Sequence, residues 1–245
     1  MFPIQNTVPT RYPPVATWAL IATNCAIFLF QISLSPAELE WFLYNFALLP
    51  ARYFTPLPLR GANSLVDYLP FLTNTFMHGG WLHLILNMWT LWLFGGAVED
   101  RLGHGRYLAF YLVCGVLASL AHAALNPASV VPALGASGAI AGIMGSYVSM
   151  FPLARVVVVV PIVIIPLFFE VPAIVFVGIW FVMQVLQGAV DLLTPSTGAG
   201  VAWWAHIGGF IAGLVLAPVL KHSERNYRRY YPDEGVLGFD QWGRR

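Results

Sequence analysis

The sequence predicts an all-α polytopic membrane protein, a bundle of six spanning helices with both termini in the cytoplasm. Composition and two patterns predict it. Of the 245 residues, 58% are hydrophobic and 9% charged, with a mean hydropathy of +0.72, whereas an average soluble domain is about 25% charged. Six apolar stretches recur at lengths close to the roughly 20 helical residues that cross a bilayer core. When these are threaded alternately, Arg11, Arg101, Arg106, Arg155, Lys221, Arg225, Arg228, Arg229, Arg244 and Arg245 fall on one side, and Arg52 and Arg60 on the other. Excess Lys and Arg marks the cytoplasmic side, which gives an N-in, C-in orientation.

Residues 1–14 carry Pro3, Pro9, Pro13 and Pro14 ahead of any apolar run. They are expected to be a cytoplasmic N-terminal segment with no cleavable signal. A membrane domain is expected over 15–220. Its first span runs from Val15 to Leu34, and a long outer connection, Ser35 to Gly80, follows. That connection holds Trp41, Phe42, Tyr44, Phe46, Tyr53 and Phe54, aromatics that suit either an interfacial structure or a loop packed on the bundle. The second span is Trp81 to Ala97, the third Tyr107 to Leu125 and the fourth Ser137 to Phe151. The fifth is Pro172 to Leu193 and the sixth Ala205 to Leu220. The fourth and sixth are short, so their outer ends are expected to stop below the membrane surface, in a protein-lined cavity. The apolar run Val156 to Phe169 contains Pro161 and Pro166. It reads as a loop or half-inserted connection, because proline breaks an interior helical turn. Residues 221–245 are expected to be a cytoplasmic tail.

Cys25 and Cys114 both lie in apolar stretches and read as buried thiols, with neither a disulfide framework nor a metal site. A net charge of +1 gives no pull toward nucleic acid.

The polar residues within the apolar segments carry the functional signal. The second, fourth and sixth spans all run from outside to inside, and His78, His83, Asn87, Ser137 and His206 cluster in or just before their first turns. Polar groups in a span are costly unless partnered and usually face the bundle interior. His83 and Asn87, four apart, share one helix face. Gly138/Gly142 and Gly209/Gly213 have the spacing that lets helix backbones approach closely. If those two helices pack, Ser137 meets His206, and a hydroxyl beside an imidazole is a nucleophile with its base. Each residue also has a plainer role: a lone serine commonly bonds its own backbone, and a lone asparagine joins helices. His78, His83 and His206 could be imagined around zinc, but no carboxylate or thiolate joins them in a ligand spacing, so no metal is expected.

These residues carry a family resemblance. Thr73-x-x-Phe76-x-His78, His83-x-x-x-Asn87-Met88, Gly95 with Glu99-Asp100-Arg101-Leu102-Gly103, Gly135-Ala136-Ser137-Gly138 and Ala205-His206-Ile207-Gly208-Gly209 occur in this order. Over about Thr73 to Gly213 the chain resembles the rhomboid intramembrane serine proteases in their six-span prokaryotic form. The resemblance implies Ser137 as nucleophile and His206 as general base. It implies His83 and Asn87, with the Ser137 N–H, as oxyanion donors, and Gly135 and His78 as supporting positions. No acidic residue stands at a matching position, so a dyad is expected rather than a triad. No cofactor is implied. The implied partners are membrane lipid and the transmembrane segments of substrate proteins, entering laterally, with the fifth span and its Gly178 as the candidate gate. The implied location is the plasma membrane, with the site opening to the extracytoplasmic side.

Three residues, at two places, depart from the family pattern. Leu69-Pro70 stand where Trp-Arg is frequent, which leaves the anchoring of the outer connection open. Ala141 stands where some members stack an aromatic ring on the histidine, which leaves Trp203, Trp204 or Phe210 as candidates for that contact. The rival readings are a non-catalytic relative that binds transmembrane helices and a transporter with a histidine proton relay. The transporter would call for more intramembrane ionisable residues or repeated halves.

Overall fold

The computed structural model describes residues 2–54, 65–162, 165–193 and 201–221. Arg60 and the tail beyond Lys221, including the basic residues from Arg225 onward, lie outside the described residues. Nine helices are described: α1 Val15–Ser33, α2 Pro36–Phe46, α3 Ala51–Phe54, α4 Pro70–Thr73, α5 Trp81–Leu102, α6 His104–Leu125, α7 Ser137–Met150, α8 Ala173–Leu193 and α9 Trp203–Leu220. Five of them, α1, α5, α6, α8 and α9, are long and apolar enough to cross a membrane. The remaining apolar segment, the fourth in chain order, is α7, with 14 residues, about 21 Å at 1.5 Å per residue.

The short helix is the centre of the bundle. Gly138 through Tyr147 are all buried, as expected of a helix that is apolar on every side. It packs against α5, α6, α8 and α9. Glycine sets its distance from α9: a Cβ on Gly209 would fall on the carbonyl oxygen of Gly138, and one on Gly213 on that of Gly142. Around this pair, Phe94 of α5, Tyr107, Phe110 and Tyr111 of α6, and Tyr147 of α7 are fully buried.

The acidic pair at the end of α5 has a structural role. The Glu99 carboxylate accepts the backbone N–H groups of Ala16 (2.8 Å) and Thr17 (2.7 Å) and the Thr17 hydroxyl (2.7 Å). Asp100 accepts the N–H of Tyr12 at 3.0 Å. The first turn of α1 has unpaired N–H groups and the positive end of the helix dipole, and a carboxylate from a neighbouring helix satisfies both. Glu99→Ala is expected to destabilise the protein by roughly 2–4 kcal/mol, since it strands buried donors that were bonded to a charge. The measurement is the thermal midpoint in detergent, and an unchanged midpoint would refute this role.

A three-stranded antiparallel sheet corrects two expectations, the all-α class and the loop over Val156 to Phe169. Its order is β1 Phe2–Asn6, β2 Arg155–Ile162, β3 Ile165–Pro172. The valine run Val156 to Val160 is β-branched and favours strand. Pro161 pairs with Pro166 next to the last pair of the ladder, Ile162 with Ile165, a position where a missing N–H is tolerated. β1 adds to the other edge of β2, with a register shift between Pro3 and Gln5. The N-terminal segment is thereby tied to the bundle: the Asn6 amide donates to the Leu93 carbonyl (2.5 Å) and the Trp89 indole to that of Pro3 (2.7 Å).

The connection between α1 and α5 is anchored without Trp-Arg. Leu48 and Ala133 exchange backbone hydrogen bonds (3.0 and 2.8 Å), the Thr73 hydroxyl donates to the Phe46 carbonyl (2.7 Å), and Arg52 pairs with Asp67 at 3.3 Å. Pro70 takes the first position of α4, where it is tolerated. Phe42 and Phe46 pack with their rings tilted, and Phe42 meets Phe30 of α1 edge-on, while Trp41 and Phe54 stay exposed.

Candidate active site

Ser137 is the first residue of α7, so its N–H belongs to the unpaired donors of a helix start. The chain enters through Gly135, whose φ of 132° is a conformation that residues with a side chain rarely adopt. Absence of a Cβ also matters there, since one would sit 2.7 Å from Cε1 and Nε2 of His83. The entry turn is pinned from outside α7. Gly135 N–H donates to the Asn74 carbonyl at 2.9 Å. The Asn74 amide donates to Ser119 Oγ at 2.9 Å and to the Pro70 carbonyl.

His206 lies in the first turn of α9 and is buried. Its Nε2 is 2.8 Å from Ser137 Oγ, and its Nδ1 is 2.7 Å from Oε1 of Gln184 on α8. The Trp180 ring lies 5.9 Å from the imidazole and the Trp203 ring 6.2 Å. Of the three aromatic candidates named from the sequence, Trp203 has its ring beside the imidazole, but perpendicular to it rather than stacked. Trp180 and Gln184 were missed. Their signal was available, as an aromatic and an amide four residues apart, hence on one face of the helix.

His83, in the first turn of α5, accepts the Gly79 N–H on Nδ1 at 3.5 Å. A neutral ring so bonded carries its proton on Nε2, the nitrogen that lies over Gly135. One turn on, Asn87 is buried, and its Nδ2 has no partner among the described residues. Both are donors with capacity to spare.

His78 sits just before α5. Its backbone N–H donates to Gln31 Oε1 (3.1 Å), and its carbonyl accepts from Gln31 Nε2 (3.3 Å). Its ring packs edge-on against His83 at 5.1 Å and Phe28 at 6.5 Å. Burial, with the neighbouring His83, pushes its pKa from 6.5 down to about 3. Between those values the unfolded chain binds the extra proton, so the contribution of His78 to stability is complete above 6.5 and is lost as pH falls toward 3. His78→Leu is expected to lose less thermal stability than wild type between pH 7 and pH 4, as measured by thermal midpoints across that range; parallel curves would refute it.

A small cavity of about 20 Å³ abuts the serine; Asn74, Ser119, His122 and Ser137 give its lining polar groups among apolar residues such as Leu48 and Leu134. It has room for one water. A larger cavity of about 390 Å³ lies away from the serine and histidine, between α1, α2 and the segment before α5, with an apolar lining that includes Phe30, Phe42 and Met77.

The structure thus brings Ser137, His206, His83 and Gly135 together at the starts of three helices, with His78 behind His83 and Asn87 one turn along α5. Five spanning helices around a buried short one define the class, a polytopic α-helical membrane protein. Within that class the chain belongs to the rhomboid family: residues 66–223 match the family described as Rhomboid domain. It is 28% identical over 214 residues to Rhomboid protein 1, mitochondrial, of Saccharomyces cerevisiae, covering 83% of this chain and 53% of that protein. It is 40% identical over 87 residues to Rhomboid protease GluP of Bacillus subtilis, covering 34% of this chain and 17% of that protein. With the human Presenilin-associated rhomboid-like protein, mitochondrial, it shares 33% over 110 residues, covering 44% and 28%. The matched region is about half the length of the yeast protein and a smaller share of the other two.

Proposed function

We propose that this protein is an intramembrane serine endopeptidase that hydrolyses peptide bonds in or near the transmembrane segments of other membrane proteins. One observation carries the reading. The Oγ of Ser137 and the Nε2 of His206, 69 residues apart in sequence, lie 2.8 Å from each other, within the reach a base needs to take the hydroxyl proton.

Ser137 Oγ attacks the scissile carbonyl carbon while its proton passes to His206 Nε2. The developing oxyanion accepts hydrogen bonds from His83 Nε2–H, Asn87 Nδ2–H and the Ser137 N–H. His206 then protonates the leaving amine, the C–N bond breaks, and a serine ester remains. Water gives a proton to His206, attacks the ester and releases the acid, and Oγ recovers the proton. Base and acid work of this kind contributes about 10²–10⁴-fold, and each oxyanion donor roughly 10²–10³-fold. Neutral donors avoid the cost of charge at membrane depth. A helical substrate must unwind locally first, because its carbonyls are otherwise bonded internally.

In this reading α7 is the fourth of six spans, and an incomplete one, in a membrane domain over 15–220; both termini are cytoplasmic, and the 221–245 tail stays on that side. The distribution of Lys and Arg supports this orientation. The site then opens to the extracytoplasmic face of a plasma membrane, where water is available. Neither cofactor nor metal takes part.

The test is cleavage of a single-span reporter by the purified protein in liposomes, with and without chelator, beside Ser137→Ala. Cleavage by wild type alone, indifferent to chelator, is expected. Reporter binding without cleavage by either protein would favour a helix-binding role instead.

A further inference from the structure

We infer that Gln184 is the positioning residue of His206, holding its imidazole in the one tautomer and orientation that leaves Nε2 free to take the Ser137 proton. The inference rests on the serine–histidine reading above.

The geometry fixes each proton in turn. Gln184 is the polar member of the buried stripe of α8, whose other buried residues are Ala173, Val177 and Gly188. An amide buried among apolar groups is strongly penalised unless its polar atoms are bonded. Its Nε2, which can only donate, gives a hydrogen bond to the Trp180 carbonyl one turn back at 3.1 Å. Oε1 is thereby turned toward His206 Nδ1, 2.7 Å away. A carbonyl oxygen can only accept, so Nδ1 must carry the hydrogen. Nε2 of a neutral ring is then bare, and it faces Ser137 Oγ at 2.8 Å. The serine hydroxyl has no choice but to donate. The rings of Trp180 and Trp203, at 5.9 and 6.2 Å, restrict rotation of the imidazole.

An amide suits this position better than a carboxylate would. It orients the base as an acidic third member does in a triad, yet it puts no charge into the membrane interior, where an ionised group is expensive. Since Trp180 and Gln184 both belong to α8, that helix must be seated on α9 for His206 to be held.

The test uses the full chain in detergent, a serine-directed fluorophosphonate probe and a cleavable reporter. Gln184→Met keeps the length of the side chain and removes the amide; Gln184→Glu keeps an acceptor at the same reach. Gln184→Met is expected to lower the labelling rate and kcat by roughly 10- to 100-fold, the loss typical where the partner that fixes a metal-bound histidine's tautomer and ring orientation is removed, with KM changed less than about twofold. Gln184→Glu is expected to recover most of that loss. In ¹⁵N-histidine spectra, the His206 signals, assigned by their disappearance in His206→Ala, are expected to show Nδ1–H in wild type and to lose that signature in Gln184→Met. Wild-type labelling by Gln184→Met, or a slowed variant that still shows pure Nδ1–H, would overturn the role. Labelling that survives Ser137→Ala would overturn the serine–histidine reading itself, a separate outcome.

Discussion

Ser137→Ala is expected to lower kcat for a transmembrane reporter by about 10⁴- to 10⁶-fold, and His206→Ala by a similar factor. In the proposed mechanism the two residues act as one unit: a hydroxyl is a poor nucleophile unless its proton has somewhere to go, and the imidazole stands 2.8 Å away. Removing either empties the arrangement, so the double variant is expected to be no slower than the worse single. Independent contributions would multiply, and that would refute a shared proton transfer. Reporter affinity is expected to stay near wild type in all three, because in the proposed mechanism both side chains act at the scissile bond and not along the rest of the substrate helix. The measurement is single-turnover cleavage in liposomes with enzyme in excess, which separates chemistry from binding. Residual activity above about 1% in Ser137→Ala would move the nucleophile to another residue, since the remaining donors stabilise an oxyanion but cannot form the ester.

The sequence made the helices legible because their signal is collective: about twenty apolar residues leave little else to be. Observed bounds for the first, fourth and fifth segments fall within a residue of expectation, at Val15–Ser33, Ser137–Met150 and Ala173–Leu193. α5 runs on to Leu102, because Glu99 and Asp100 look like a polar stop but are buried against the start of α1. The hairpin was hidden for a related reason. Pro161 and Pro166 rule out helix, and only their pairing across β2 and β3 makes them compatible with strand. That pairing is a fact about register, which single-residue preferences do not carry. Gln184 escaped a search for acidic partners because orienting an imidazole requires an acceptor and not a charge. Backbone bonds such as Leu48 with Ala133 leave no side-chain trace at all, so the anchoring of the outer connection could only be seen folded. Ser137 and His206 were legible because small residues at four-residue spacing announced the helix contact that joins them.

That contact is the second large effect. Gly209→Ala and Gly213→Ala are each expected to destabilise the protein at or above the upper end of the ~1–3 kcal/mol usual for overpacking, and to suppress fluorophosphonate labelling of Ser137. The added methyl meets backbone in both cases, the carbonyl oxygens of Gly138 and Gly142. A long side chain could swing aside, but a carbonyl inside a buried helix cannot, so α9 must back away from α7. Ser137 and His206 sit on those two helices, and a hydrogen bond weakens steeply once its atoms part beyond about 3.5 Å. Even alanine is too large here, so the general preference for small residues at membrane helix contacts narrows to glycine. Gly178→Ala on α8 is the matched control, for a Cβ there has nothing within 4 Å. It is expected to leave labelling unchanged and to stabilise the helix by up to ~1 kcal/mol through propensity alone. Thermal midpoints and labelling rates for the three variants decide the matter. If Gly209→Ala labelled as fast as Gly178→Ala, the α7–α9 contact would be able to yield without parting serine from histidine, and the close approach of these helices would have to be explained by something other than the site.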